Sequence, residues 1–287
     1  MLERTGFPPG VPCWIDTSQP DPEAAVAFYS GVFGWELEDQ VPADAPGRYF
    51  AARLGGRDVA AVGSQPDGAA TTPMWNTYVW VDSADDTAGR VTAAGGQVIG
   101  EPFDVSDAGR MAMCLDPGGA SFCLWQAGRH QGAQVVNAPN TWNWSDLHTH
   151  DLDEAAAFYG QVFGWEATPV DFGFGFGETV MWRRPGYAEF LETFDPGLRR
   201  RHSEGGAPEG FSDAIGWLLP LSGDDASAAP HWAVTFASAD TDATVEAAAK
   251  LGGEIVVPPS DAGVTRIATL RDPQGAVFTV STYTPAT

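Results

Sequence analysis

Short runs in which apolar and polar positions alternate are followed, several times along the chain, by Ala-rich stretches with apolar positions three and four apart. The first run, Val11-Pro-Cys-Trp-Ile-Asp16, reads as a strand. Behind it Ala24, Ala27, Phe28 and Val32 share one face of a helix that stops at Phe33-Gly34. Strand-like runs with turn signals come next, among them Asp116-Pro-Gly-Gly119. Asp21, Asp85, Asp151 and Asp242 stand where N-caps would open four such helices.

The pattern is a repeat. Asp21-Pro-Glu-Ala-Ala-Val-Ala-Phe-Tyr29, with Val32-Phe-Gly-Trp-Glu36 behind it, returns as Asp151-Leu-Asp-Glu-Ala-Ala-Ala-Phe-Tyr159 with Val162-Phe-Gly-Trp-Glu166, an offset of 130. Trp14 and Asp16 map to Trp144 and Asp146 at the same offset. Gly95-Gly96 maps to Gly252-Gly253 at an offset of 157, and Asp116-Pro-Gly-Gly119 to Asp272-Pro-Gln-Gly275 at 156. The second half therefore carries an insertion of about 27 residues between Trp165 and His231. Each half holds two similar strand–helix–strands units, 11–70 and 72–128, then 141–222 and 230–284.

A βαβββ unit used four times, with D-x-x-x-A-x-x-F-Y and V-F-G-W after a first strand and D-P-x-G before a last one, resembles the vicinal oxygen chelate superfamily. This is the glyoxalase, bleomycin-resistance and extradiol-dioxygenase group. Trp182-Arg-Arg-Pro-Gly-Tyr-Ala-Glu-Phe-Leu191 and Gly206-Ala-Pro-Glu-Gly-Phe-Ser-Asp213 look like its two-domain actinobacterial members. The resemblance implies an α+β fold of two tandem domains, 11–128 and 141–284, each of two βαβββ modules forming concave mixed sheets. A linker spans Gly128–Asn140, and the insertion falls between about 170 and 230. Metal-using members place ligands at positions that here carry Trp14 and Trp144 on first strands, Asn76 and Ala233 on partner strands, and Cys123 and Thr279 on last strands. Trp and Ala are not metal donors, so no metal and no other cofactor is expected. A displaced set of Asp146, His148 and His231 is the alternative, competing with a plain Asp146–His148 hydrogen-bonded pair.

Charge narrows the partners. The net charge of −23 repels phosphate backbones and anionic membrane surfaces, so neither nucleic acid nor membrane is an expected partner. No run of about 18 apolar residues could span a bilayer. Three cysteines without paired spacing point away from a disulfide framework and toward a cytoplasmic setting, as monomer or homodimer. Lys250, the only lysine, ends a helical stretch and reads as a solvated C-terminus. The run Gly173-Phe-Gly-Phe-Gly177 has period two with no helix directly behind it, and reads as a loop or twisted strand rather than a dinucleotide loop.

Strand parity fills the clefts. In the first half it turns Trp14, Asp16, Asn76, Tyr78, Trp80, Cys123 and Trp125 to the concave side, an aromatic wall for a small planar ligand or a cleft packed shut. In the second it gathers Trp144, Asp146, His148, Ala233, Thr235, Thr279 and Ser281, with His231 on the same side. Asp146 and His148 are the one acid–base pair that can be built. The insertion, with Trp182, Tyr187, Phe190, Phe194 and Phe211, is either a lid or a surface excursion. His130 falls in the linker, and His150 and His202 read as surface residues. The leading expectation is a metal-independent binder of a small aromatic or polyketide-like molecule. A cofactor-free tailoring enzyme of the hydroxylase or cyclase type stands close behind. A metal-dependent lyase or dioxygenase and a pseudoenzyme with an interaction role are further alternatives.

Overall fold

The structure is a computed structural model describing residues 3–65, 72–170, 179–222 and 227–284. The Gly173–Gly177 run lies outside the described residues. The first half forms strands β1 (Pro12–Gln19), β2 (Glu36–Asp39), β3 (Tyr49–Leu54), β4 (Arg57–Ser64), β5 (Trp75–Trp80), β6 (Gln97–Val105), β7 (Gly109–Leu115) and β8 (Ser121–Ala127), with helices α1 (Pro22–Phe33) and α2 (Ala84–Ala93). The second forms β9 (Trp142–Thr149), β10 (Glu166–Val170), β11 (Thr179–Arg183), β12 (Ala214–Pro220), β13 (His231–Ala237), β14 (Glu254–Ala262), β15 (Thr265–Arg271) and β16 (Val277–Tyr283). Its helices are α3 (Leu152–Phe163), α4 (Tyr187–Phe194), α5 (Leu198–Glu204) and α6 (Thr241–Lys250).

Two eight-stranded sheets result, ordered β2-β3-β4-β1-β5-β8-β7-β6 and β10-β11-β12-β9-β13-β16-β15-β14. Within each module the first and last strands run parallel, and the two modules of a half meet through the antiparallel pairs β1–β5 and β9–β13. This is the expected α+β arrangement. The strands β3 and β4 turn at Gly55-Gly56, whereas residues 184–213, with α4 and α5, separate β11 from β12. None of the described helices is long and apolar enough to cross a membrane.

The repeated motifs are explained by how the halves pack. Asp21 and Asp151 cap α1 and α3 through the amides of Ala24 and Glu154. Gly34 and Gly164 end them at φ of 69° and 71°, a conformation that costs glycine nothing. Each helix buries its Phe-Tyr pair against the other half's sheet. Phe28, Tyr29 and Phe33 meet Phe278, and Phe158, Tyr159 and Phe163 meet Phe122. Tyr29 Oη donates to Asp272 Oδ2 at 2.8 Å and Tyr159 Oη to Asp116 Oδ2 at 3.0 Å. The same aspartates use Oδ1 to accept turn amides, from Ala120 on Asp116 and from Gly275 and Ala276 on Asp272. The motif tryptophans also reach across, Trp35 Nε1 to Asn140 O and Trp165 Nε1 to Gly10 O. F-Y, V-F-G-W and D-P-x-G thus form one interlock between halves, built twice.

Two helix caps differ from expectation. Ser83 and Asp240 cap α2 and α6, two residues ahead of Asp85 and Asp242. Those two lie in the first turns, where each forms a two-pronged ion pair, Asp85 with Arg110 and Asp242 with Arg266. A carboxylate in the first turn complements the helix dipole without capping it.

Candidate functional site

In the first half, Asp16 on β1 lies opposite Asn76 on β5 and Ala61 on β4. It is 5% exposed, yet its carboxyl is fully engaged. It accepts from Tyr78 Oη at 2.7 Å, Tyr49 Oη at 3.1 Å and Asn76 Nδ2 at 2.8 Å. Trp14 Nε1 donates in turn to Tyr49 Oη at 3.0 Å. Burial raises the Asp16 carboxyl above its ordinary range, and the Asn76, Tyr78 and Tyr49 donors oppose that rise. His130 of the linker closes the group. Its ring stands edge-on to Trp14 at 4.4 Å and to Trp125 at 5.5 Å, and its carbonyl accepts from Trp125 Nε1. Burial holds this imidazole below its usual titration range. Trp80 packs at 6.3 Å from Phe7 of the N-terminal arm. Trp14, Asp16, Asn76, Tyr78 and Trp125 are therefore brought together, but as one another's partners.

The second half repeats the frame with different contents. Asp146 on β9 is 9% exposed and lies opposite Ala233 on β13 and Trp217 on β12. Oδ2 accepts from Thr235 Oγ1 at a long 3.4 Å, and the Trp217 backbone amide also donates to the carboxyl. Oδ1 is buried with no hydrogen-bond partner among the described residues. With so little to offset desolvation, burial pushes this carboxyl up to about 7. Aromatic rings wall it. Trp144 stands 5.8 Å from Trp217 and 6.2 Å from Phe211, and Phe211 is 6.4 Å from Trp217.

Phe211 comes from the insertion and is backed by His202, whose Nδ1 lies 2.9 Å from Ser212 Oγ. His202 is thus half-buried beside the cleft rather than a plain surface residue, and burial lowers its titration range. Trp182 is fully buried against Tyr159 and Trp165 in the core between the sheets, so it is no part of a lid. His148 follows Asp146 on the same face, but its ring stacks on His231 at 4.9 Å and 6° across the β9–β13 pair.

The donor set does not fit a metal. The family positions hold indole, amide, methyl and hydroxyl groups apart from Cys123, whose thiol burial pushes well above its ordinary value. The rings of His148 and His231 lie parallel, which does not converge their lone pairs. Among the described residues no group of three or more His, Cys, Asp or Glu side chains could hold an ion.

The sequence model of the Glyoxalase/Bleomycin resistance protein/Dioxygenase superfamily matches residues 14–124 and 142–280. The chain belongs to this family. Its glyoxalase-family relatives include "Putative glyoxylase CFP32" of Mycobacterium tuberculosis, 37% identical over 98% of this chain and 97% of that protein. The "Anthracycline biosynthesis protein DnrV" of Streptomyces peucetius is 34% identical over 96% of this chain and 94% of its own length. Among solved structures, the Mn(II)-bound glyoxalase from Novosphingobium aromaticivorans is 16% identical, with a TM-score of 0.57 over 98% of this chain and 83% of that one. The 2,2',3-trihydroxybiphenyl 1,2-dioxygenase of Sphingomonas wittichii is 13% identical, with a TM-score of 0.56 over 98% of this chain and 91% of that one. At such identities these structures share the fold.

Tyr49, His130, Phe211 and Trp217 are site residues that strand parity alone does not reach. Tyr49 comes from β3, one strand beyond the β4 neighbour of β1, and Trp217 from β12, the parallel neighbour of β9, so neither lies on the strands whose parity was followed.

Proposed function

We propose that this glyoxalase-family chain is a metal-independent binder of small aromatic, polyketide-like molecules, and that its second half holds the working cleft. One observation carries the reading. A carboxyl oxygen of Asp146 is buried without a partner beside Trp144, Trp217 and Phe211. Buried polar atoms are nearly always hydrogen-bonded, and an orphan is costly unless something else serves it. Aromatic walls around a few polar anchors are the usual make-up of a small-molecule site. The full-length likeness to an anthracycline biosynthesis protein supports a polyketide-like ligand.

A second reading, a cofactor-free tailoring enzyme of hydroxylase or cyclase type, is favoured by the Asp146 carboxyl standing at about 7. A group poised near the working pH can give and take a proton. In that reading Asp146 moves the proton at a ligand oxygen. Trp144 and Trp217 orient the ring, and Phe211 keeps water out. Fluorescence titration with 1,8-dihydroxyanthraquinone tests the shared part. Binding should quench tryptophan emission, and Trp217→Ala should weaken it by on the order of 1–3 kcal/mol. A Trp217→Ala protein that binds as wild type would refute the placement of the cleft. Turnover that falls in Asp146→Asn while binding persists would favour the enzyme.

A further inference from the structure

The internal duplication lets one half be read as a template for the other. Register fixes the correspondences. Tyr78 lies opposite Trp14, and Thr235 lies opposite Trp144. Asn76 lies opposite Asp16, and Ala233 lies opposite Asp146. On the neighbouring strand, Tyr78 is aligned with Cys123 and Thr235 with Thr279. Two residues along, Trp80 is aligned with Trp125 and Ala237 with Ser281. On the other side Ala61 opposite Asp16 becomes Trp217 opposite Asp146.

The aspartate and the first-strand tryptophan are thus kept while their surroundings change in a directed way. Toward β12 the second half gains an indole. Toward β13 and β16 it loses a phenol, an amide and two indoles, and receives Thr235, Ala233, Ser281 and Ala237 instead. The donors lost are the ones that serve Asp16. Tyr78 Oη meets that carboxyl at 2.7 Å, whereas Thr235 Oγ1 reaches Asp146 only at 3.4 Å, and the oxygen that Asn76 would serve is left unpartnered.

We infer that the second cleft takes a phenol, its ring lying where the Tyr78 ring lies in the first half and its hydroxyl meeting Asp146 as the Tyr78 hydroxyl meets Asp16. The first half then is a copy of the site whose phenol is its own side chain. The hydroxyl is also the group that suits this carboxyl in either protonation state. It donates to a carboxylate and accepts from a carboxylic acid, whereas a carbonyl or ether oxygen only accepts. Asp146 stands near the middle of its titration at neutral pH, so that versatility matters here.

The inference rests on the second cleft being the working one, and the experiment separates the two. 1-Naphthol and its methyl ether are titrated by tryptophan fluorescence into the full-length protein, into Thr235→Tyr and into Thr235→Val. Thr235→Tyr restores the Tyr78 phenol in the second half, and a raised Tm shows that it folds with the new ring seated. Naphthol should bind wild type at least about tenfold more tightly than the ether, the worth of a hydrogen bond to a buried carboxyl. Thr235→Tyr should abolish naphthol binding, and Thr235→Val, which keeps the room, should retain it within a few-fold. Equal binding of naphthol and ether, both lost in Thr235→Tyr, would overturn the phenol and leave the cleft standing. Binding unchanged in Thr235→Tyr, or no binding of either probe to wild type, would overturn both.

Discussion

Replacing Asp146 by Asn should stabilise this protein, and by an amount that depends on pH. The carboxyl titrates at about 7 in the folded chain against 3.8 for an ordinary aspartate. Between those values the folded protein holds a proton that the unfolded chain has released, so the Asp146 contribution to stability falls as pH rises. The penalty is absent below 3.8, grows through the interval and is complete above 7. Ionised, it is worth about 4 kcal/mol, and because the group is only 9% exposed solvent screens little of it. Asn keeps the shape and a neutral polar group, so its own burial cost does not vary with pH. The difference between variant and wild type isolates the one titration, since every other ionisable group is common to both. From pH 5 to pH 8.5 that difference should widen by about 2–3 kcal/mol, or roughly 3–5 °C in Tm for a chain of this size. Differential scanning fluorimetry across that range, checked by urea unfolding, measures it. A difference that stays flat with pH, or an Asn variant that is the less stable at pH 8.5, would refute the account of Asp146 as a buried, under-served carboxyl.

Two other expectations follow from the packing and the donor set. Tyr159→Phe removes the hydroxyl that serves buried Asp116 across the two halves and accepts from Trp232 Nε1. It should cost about 1–3 kcal/mol by chemical denaturation, and an unaltered midpoint would show that the interlock does not stabilise. Elemental analysis of purified protein should find no stoichiometric zinc, nickel, manganese or iron. One equivalent, lost on His148→Ala, would promote the displaced set of Asp146, His148 and His231 over the metal-independent reading.

The fold was legible because its evidence is periodic. Four helices with apolar faces and repeated motif words survive in any one sequence, and the offsets of 130 and 157 order them. The partner of each motif word was not legible. Tyr29 and Asp272 are 243 residues apart, and nothing local says that one half's helix serves the other half's turn.

The cap assignments at α2 and α6 missed by two because each start offers two capping side chains, Ser83 and Asp85 at α2 and Asp240 and Asp242 at α6. The later one of each pair is held by an arginine from a distant strand, Arg110 or Arg266, which no local pattern reveals. On β1 and β9 the irregularities fall at Pro12/Trp14 and opposite Trp142/Trp144, ahead of the aspartates, so the register through Asp16 and Asp146 is regular. Parity groups Trp14 with Asp16 and Trp144 with Asp146. It could not tell a wall from a knot, since that depends on Tyr49 and His130, which arrive from the third strand and the linker. His148 shows the same limit. It shares a face with Asp146, yet the ring it meets is His231 on the neighbouring strand.

The central claim is that one half is the site and the other its filled copy. A crystal structure of the protein soaked with 1,8-dihydroxyanthraquinone tests this most directly. The account predicts one ligand per chain, its ring between Trp144 and the β13–β16 strands and a hydroxyl within hydrogen-bond distance of Asp146, with Tyr49 and Tyr78 still on Asp16. A ligand seated between Trp14 and Trp125 in the first half, or one in the second half whose oxygens do not reach Asp146, would contradict it.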